Sequence, residues 1–335
     1  MGNYAVEFNV LLRASAAQCR NVFQVHLSCY EMEIEKIITM ANRTVKLQFT
    51  VMERSLRATG CNLPLHVIPF GDDLFDLPAN AEWMVNEPLF ATLTEHGALM
   101  MCRKYLALMQ SRCAYFDTDL VHLTNPQKFL ASLPGSAFVV ADTEWNKTRW
   151  TFTPETKAIY LRKSTLWPLT NFNAGFFAHE APLVNIEGIR KLLSSPELGK
   201  MGRGFSPSGS DQEGTNYLVH INGAEVINLC LPPFCVESTM ACDYSGGVYR
   251  TMEASRRPPF IHFAGKAWDL NVDVAGIFLD FLTAEETREF HSSQNERLLL
   301  GKRRARWPLW ARVANRVLAK VRSPVRLQWW HSDAS

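Results

Sequence analysis

Two carboxylates separated by a single residue, Asp117 and Asp119, follow directly on the apolar run Cys113-Ala114-Tyr115-Phe116. Acid at the end of such a run falls where open α/β sheets bind their ligands, beyond the C-terminal ends of the strands. Once the chain leaves the regular pleat, both side chains can reach one cation. Hard ions such as Mg2+ and Mn2+ take oxygen ligands and share them with substrate phosphates. A solvated or capping pair of acids has the same spacing, so the meaning of Asp117-Thr118-Asp119 depends on what else the chain supplies.

Four further groups of residues could supply it. Asp142 ends the apolar run Ala137 to Ala141. Asn171-Phe172-Asn173-Ala174-Gly175 puts an amide and a glycine at the start of another run. There the amide can bond hydroxyl groups and the glycine permits close backbone approach, although a plain turn into a strand reads the same way. Asp211-Gln212 follows a Gly/Ser-rich loop and precedes Asn216 on a predicted helix, a position where Asp usually serves as an N-cap. Finally, Ile261-His262-Phe263-Ala264-Gly265-Lys266 brings an imidazole and an ammonium close together, the first a metal ligand in its neutral form and the second a point charge for phosphate. A histidine in an apolar strand is also an ordinary core residue.

These groups need elements to carry them. Helical spacing from Val45 to Thr59 stops at Gly60, a natural helix end. Leu63 to Phe70 reads as a strand closed by Gly71-Asp72-Asp73, and a helix is predicted from about Gly97 to Gln110. Strands follow at Cys113 to Phe116, Ala137 to Ala141 and Asn173 to Ala178, and the last element begins at Phe260. The opening strand is Val22 to Ser28 or, equally, Val6 to Leu12. Alternation of strands and helices through about residue 235, without repeats, predicts one α/β domain.

Composition agrees with an ordinary globular protein: 335 residues, 47% of them apolar. The net charge of +2 conceals an asymmetry, because nine of the 35 Lys and Arg lie between Lys302 and Arg326 while Asp333 is the only acid after Gly301. Residues 301–335 are therefore predicted to form a basic tail. From Pro308 to Val321, Trp310, Val313, Val317 and Val321 share one helical face and Arg312, Arg316 and Lys320 another. With Trp307, Trp329 and Trp330, this is the pattern of a segment that lies on an anionic membrane surface, through residues 302–330. A helix docked on the domain is the competing reading, and a nucleic-acid partner is not expected because Trp-rich faces suit lipid better. Eight scattered cysteines with no C-x-x-C pair point to a reducing compartment, hence a cytoplasmic protein, at most peripheral to the inner face of a membrane.

Taken in order, strand-D-x-D, F-N-A-G, D-Q-x-x-x-N and H-x-x-G with a nearby Lys resemble the glycosyltransferases of family 8, the glycogenin-like and lipooligosaccharide galactosyltransferase-like enzymes, over about residues 63–268. The resemblance implies a GT-A-type α/β domain over residues 1–300, with a mixed, mostly parallel central sheet flanked by helices, and a metal-dependent transfer of sugar from a nucleotide-sugar donor, UDP-sugar favoured, to a glycan or glycolipid acceptor, with retention of configuration. It implies Asp117, Asp119 and His262 as ligands of Mn2+ or Mg2+. Lys266 with Gly265 would meet the diphosphate, Asp142, Asn173 and Gly175 the donor sugar, and Asp211 and Gln212 the reacting carbon. Arg103 or Lys104 would approach the donor. In this chain Lys266 follows Gly265 directly and Ala267 stands where that family has Pro, so the phosphate loop is two residues shorter. A non-catalytic nucleotide- or glycan-binding protein and a sugar-1-phosphate nucleotidyltransferase are the alternatives. The second would want a Gly-rich phosphate loop that residues 1–30 lack.

Overall fold

The computed structural model describes residues 31–142, 154–165, 167–204, 211–244, 252, 257–264 and 272–305, with 168, 169, 272, 273 and 295–305 described by their backbone only. The first described strand is β1, Lys36–Ala41, whose Ile-Ile-Thr-Met run is buried throughout. It lies parallel to β2, Leu65–Pro69, on one side and to β4, Cys113–Phe116, on the other. With β3, Ala81–Trp83, β6, Ala137–Val140, β7, Phe176–His179, and β8, Glu225–Asn228, these strands make a seven-stranded sheet in the order β3-β2-β1-β4-β7-β6-β8. Only β7 runs against its two neighbours, so the sheet is mixed and mostly parallel. A separate antiparallel pair joins β5, Leu120–His122, to β9, Phe260–His262.

Strands buried on both faces must be apolar on both, and the side chains divide accordingly. Ile38, Met40, Tyr115, Phe138 and Phe177 pack on one side of the sheet, and Ile37, Ala41, Ala114, Phe116 and Phe176 on the other. Helix α1, Lys46–Ala58, covers the second side with Phe49, Met52 and Leu56, a 3–4 residue spacing that puts them on one helical stripe. The first side is covered by α2, Glu87–Glu95, the short α3, Tyr105–Leu108, α6, Ile186–Ser194, and α8, Gln212–Ile221. Between them in sequence lie α4, Pro126–Leu130, α5, Pro154–Lys163, and α7, Gly199–Gly202. Helices α9, Val272–Leu279, and α10, Ala284–Ala305, form a third cluster with α1 and the β5–β9 pair through Val51, Val121, Ile261, Phe263, Phe278 and Phe290. Burying each such side chain is worth about 1.5–3 kcal/mol.

The α/β class and the strands at 63–70, 113–116 and 137–141 are as expected from sequence. Two elements differ. The helix expected from Gly97 is instead α2, which Asn86 caps by accepting from the Leu89 amide at 3.0 Å, and Gly97, with φ +63°, ends it. A residue in that left-handed region stops a helix, so only a 3-10 turn, Met100–Lys104, and α3 follow. Among the described residues the first strand is β1, which is not among the strands expected from sequence; both segments predicted to open the sheet lie outside the described residues. The tail from residue 306 also lies outside them. Among the described residues no helix is long and apolar enough to cross a membrane.

Candidate functional site

The site forms at the C-terminal edge of β4. Because β4 and β7 pair antiparallel with Phe116 opposite Phe176, the residue after β4 stands opposite the one before β7, and the Asp117 amide donates to the Gly175 carbonyl at 2.8 Å. The β5–β9 pair then places Leu120 opposite His262, and the Phe263 amide donates to the Asp119 carbonyl at 2.8 Å. Two strand pairings thus bring an imidazole from far along the chain to the two acids. His262 Nε2 lies 3.1 Å from Asp119 Oδ1 and 4.0 Å from Asp117 Oδ2. One ligand atom from each of the three residues lies within 4.8 Å of the others. Two carboxylates and an imidazole at that spacing are a donor set that fits a divalent cation.

A buried cation stands behind these acids. Lys104, 4% exposed, ends the 3-10 turn, and its Nζ reaches Asp117 Oδ1 at 3.1 Å, Asp211 Oδ2 at 3.3 Å and the Ala174 carbonyl at 3.2 Å. Burial works against its charge, but Asp117 and Asp211 outweigh burial and hold its pKa above the ordinary lysine range. Its neighbour Arg103 points elsewhere, donating to the Pro69 carbonyl at 2.8 Å and lying 4.2 Å over the Phe90 ring. Of the two basic residues, Lys104 is the one that joins the acids.

Asp211 occupies the N-cap position of α8 but makes no side-chain capping bond. Its carboxylate turns inward to Lys104 and accepts from the Thr215 hydroxyl at 3.1 Å. Burial raises its pKa, with Lys104 opposing that rise. An N-cap aspartate that leaves its helix uncapped and spends its charge on a buried lysine is placed for something other than helix termination. Gln212 is the first residue of the helix and half-buried, and its carbonyl accepts from Asn216 Nδ2 at 2.9 Å.

On the far side, Asp142 continues β6 and is 1% exposed. Asn228, at the end of β8, clamps its backbone: Asn228 Oδ1 accepts from the Asp142 amide at 3.1 Å and Asn228 Nδ2 donates to the Asp142 carbonyl at 2.8 Å. The Asp142 carboxylate accepts from the Asn173 amide at 2.7 Å, and Asn173 Oδ1 accepts from the Gly175 amide at 2.8 Å. Asn173 and Gly175 are thereby held in a tight turn whose Gly175 lies against the imidazole. A Cβ there would stand 2.3 Å from His262 Cε1, so only glycine fits.

For the ionisable pair at the cluster, burial favours the neutral forms of both. The mutual attraction of Asp119 and His262 prevails, lowering the carboxylate's pKa and raising the imidazole's. Two residues of the site were not anticipated from sequence. Tyr115 donates from its hydroxyl to Asp117 Oδ1 at 2.7 Å, and burial holds its pKa well above the ordinary range, so it remains a donor. In sequence it reads as one more apolar residue of a buried strand, and nothing local marks its hydroxyl as a partner of Asp117. Asn228 carried only the weak signal of an amide ending an apolar strand. Gly265 and Lys266 lie outside the described residues.

An α/β protein with a candidate metal-binding cluster at a strand edge is the class that fold and site define. No family model matches the chain, and no curated protein does. Among solved structures it is similar to the apo form of the bifunctional glycosyltransferase WbbM, with 13% identity over 78% of this chain and 52% of that one, at a TM-score of 0.46. It is similar to the galactosyltransferase LgtC in complex with donor and acceptor sugar analogues, with 14% identity over 76% and 99% and a TM-score of 0.44. Apo mouse xyloside xylosyltransferase 1 has 14% identity over 68% and 96%, with a TM-score of 0.38. The chain spans about half the length of WbbM. Each is a likeness of chain path at low identity, and the chemistry of this chain lies in its own residues.

Proposed function

We propose that the protein is a glycosyltransferase that moves a sugar from a nucleoside-diphosphate donor, UDP-sugar favoured, to a hydroxyl of a glycan or lipid-linked acceptor. The observation that carries this reading is the placement of Asp117, Asp119 and His262 within 4.8 Å of one another, with Lys104 joining Asp117 to Asp211 directly behind them. Together with the order of motifs along the chain, it makes a cation site next to a site for a polyhydroxylated ligand. A divalent ion, Mn2+ or Mg2+, held by those three residues would supply counter-charge for a diphosphate leaving group.

In the transfer the anomeric C–O bond to the diphosphate breaks and the acceptor oxygen takes its place, with the acceptor's hydroxyl proton leaving on the departing phosphate. Asn173 is held by Asp142 through its amide, and Asn173 Oδ1 is committed to Gly175, which leaves its Nδ2 as a donor toward sugar hydroxyls. Lys104 keeps a positive charge beside Asp211 in a dry setting, where it costs no reorganisation when charge develops. Asp211 carries negative charge suited to an oxocarbenium-like carbon, with Gln212 beside it. Lys266, with Gly265, is assigned to the diphosphate by motif order alone, and the basic tail to an anionic membrane surface by its sequence pattern.

The test is a panel of nucleotide sugars offered with Mn2+, read as release of free nucleoside diphosphate. Release from one donor, or thermal stabilisation by it, is expected. No release and no donor-dependent stabilisation by any member would sink the proposal. For the tail, removal of residues 302–335 should weaken sedimentation with anionic vesicles, and equal sedimentation would leave the docked helix.

A further inference from the structure

The two oxygens of Asp117 are not equivalent. Among the described residues the two donors that reach this carboxylate, the Tyr115 hydroxyl at 2.7 Å and Lys104 Nζ at 3.1 Å, go to Oδ1, whereas Oδ2 is the oxygen that faces His262 Nε2. A carboxylate oxygen has two lone-pair directions, so two donors fill Oδ1 and leave Oδ2 as the free ligand atom. Lys104 cannot fix that choice by itself, because its ammonium is shared among Asp117, Asp211 and the Ala174 carbonyl.

Tyr115 has no such freedom. It is 0% exposed, its ring is stacked on Phe177 with centroids 5.0 Å apart, and Lys104 Nζ lies 4.9 Å from the ring centroid. Phenylalanine would fill the same volume without burying a hydroxyl, which costs free energy unless that hydroxyl is bonded. The one hydrogen bond the hydroxyl donates goes to Asp117.

We propose that Tyr115 is a positioning residue for the cation site: its hydroxyl holds Asp117 Oδ1 and so aims Oδ2 at the point where Asp119 Oδ1 and His262 Nε2 converge. This rests on the reading of Asp117, Asp119 and His262 as a divalent-cation site. Groups that orient a metal ligand typically change affinity by about 10- to 100-fold when removed.

The experiment titrates the full chain with Mn2+ alone and reads free Mn2+ by electron paramagnetic resonance. Tyr115→Phe, which keeps the ring, should bind Mn2+ about 10-fold more weakly than wild type, at the low end of that range. Tyr160→Phe removes an equally buried hydroxyl, bonded to the Glu213 carbonyl at 2.9 Å, and should leave the affinity unchanged. In a double variant, Tyr115→Phe should add nothing to the loss caused by Asp117→Asn, because it acts through that carboxylate. Wild-type affinity in Tyr115→Phe, an equal loss in Tyr160→Phe, or additive losses in the double variant would each overturn the inference while leaving the cation site standing. Failure of the wild-type chain to bind Mn2+ would remove the cation site itself, and the role of Tyr115 with it.

Discussion

His262 lies so close over Gly175 that a methyl group on Gly175 would stand 2.3 Å from Cε1 and 2.9 Å from Nδ1 of the ring. The contact joins two strand pairings that belong to separate sheets, β4–β7 and β5–β9, and it sets where the imidazole can sit relative to Asp117 and Asp119. Gly175→Ala must therefore push the ring away. Mn2+ affinity should fall by at least about 10-fold, as for loss of a ligand-orienting group. Overpacking would cost about 1–3 kcal/mol of stability. Mn2+ titration beside a thermal melt checks both, and an alanine variant with wild-type affinity would mean that the ring position is not set here.

Asp119 pairs with His262 at 3.1 Å and has its carbonyl bonded by the Phe263 amide, an interaction that a side-chain truncation leaves in place. Asp119→Ala should keep the fold and lower donor-dependent release of nucleoside diphosphate by at least about 10²-fold, the effect of losing one electrostatic contact to a transition state. Circular dichroism and the release assay decide it; unchanged turnover would remove Asp119 from the chemistry.

Lys104 is the common partner of Asp117 and Asp211. Lys104→Met leaves two inward-facing carboxylates without a cation, and breaking a buried ion pair in this way typically costs about 3–5 kcal/mol. If uncompensated charge is the cause, adding Asp211→Asn should recover part of that loss in urea unfolding. A double variant no more stable than Lys104→Met alone would attribute the loss to packing.

Away from the site, Glu286 ties α10 to α1 by a two-point contact with Arg54 at 2.6 and 2.9 Å, and it closes the N-terminus of α10 by accepting from the Thr283 amide at 2.8 Å. The hydrogen bond from Arg54 lowers its pKa to about 2, against the penalty of burial. A carboxylate depressed in the folded state contributes stability that is present at neutral pH and lost as pH falls from the ordinary glutamate range towards about 2. Protection of the α10 amides, taken relative to their intrinsic exchange rate at each pH, should therefore fall in acid for wild type. Glu286→Gln should show faster exchange already at pH 7 and a smaller change on acidification. Equal acid sensitivity in both would assign the effect to other groups.

Much of the site was legible before the fold was known, for local reasons. Asp117 and Asp119 stand out because acids abruptly end a short apolar strand, and Asn173-Ala174-Gly175 because an amide and a glycine open another. What could not be read was direction. Arg103 and Lys104 are adjacent, and which of them faces the acids depends on the phase of a 3-10 turn that begins only where Gly97 has ended α2. Strand β1, Lys36–Ala41, was not legible in sequence because its burial on both faces removes the alternation by which half-exposed strands are recognised. Tyr115 reads as core until its hydroxyl is seen on Asp117.

By itself the sequence determined the residue types and their order: acids after one strand, amide and glycine before another, Asp-Gln at a helix start and His in a late strand. It determined the α/β alternation as well, because apolar periodicity is a property of neighbours along the chain. Only the tertiary structure decided that these pieces meet. Antiparallel pairing of β7 with β4 set Gly175 against Asp117, and pairing of β9 with β5 carried His262 to Asp119. Burial then turned Asp211 from a cap into the partner of Lys104, because in a site cleared of water each charge must find its opposite.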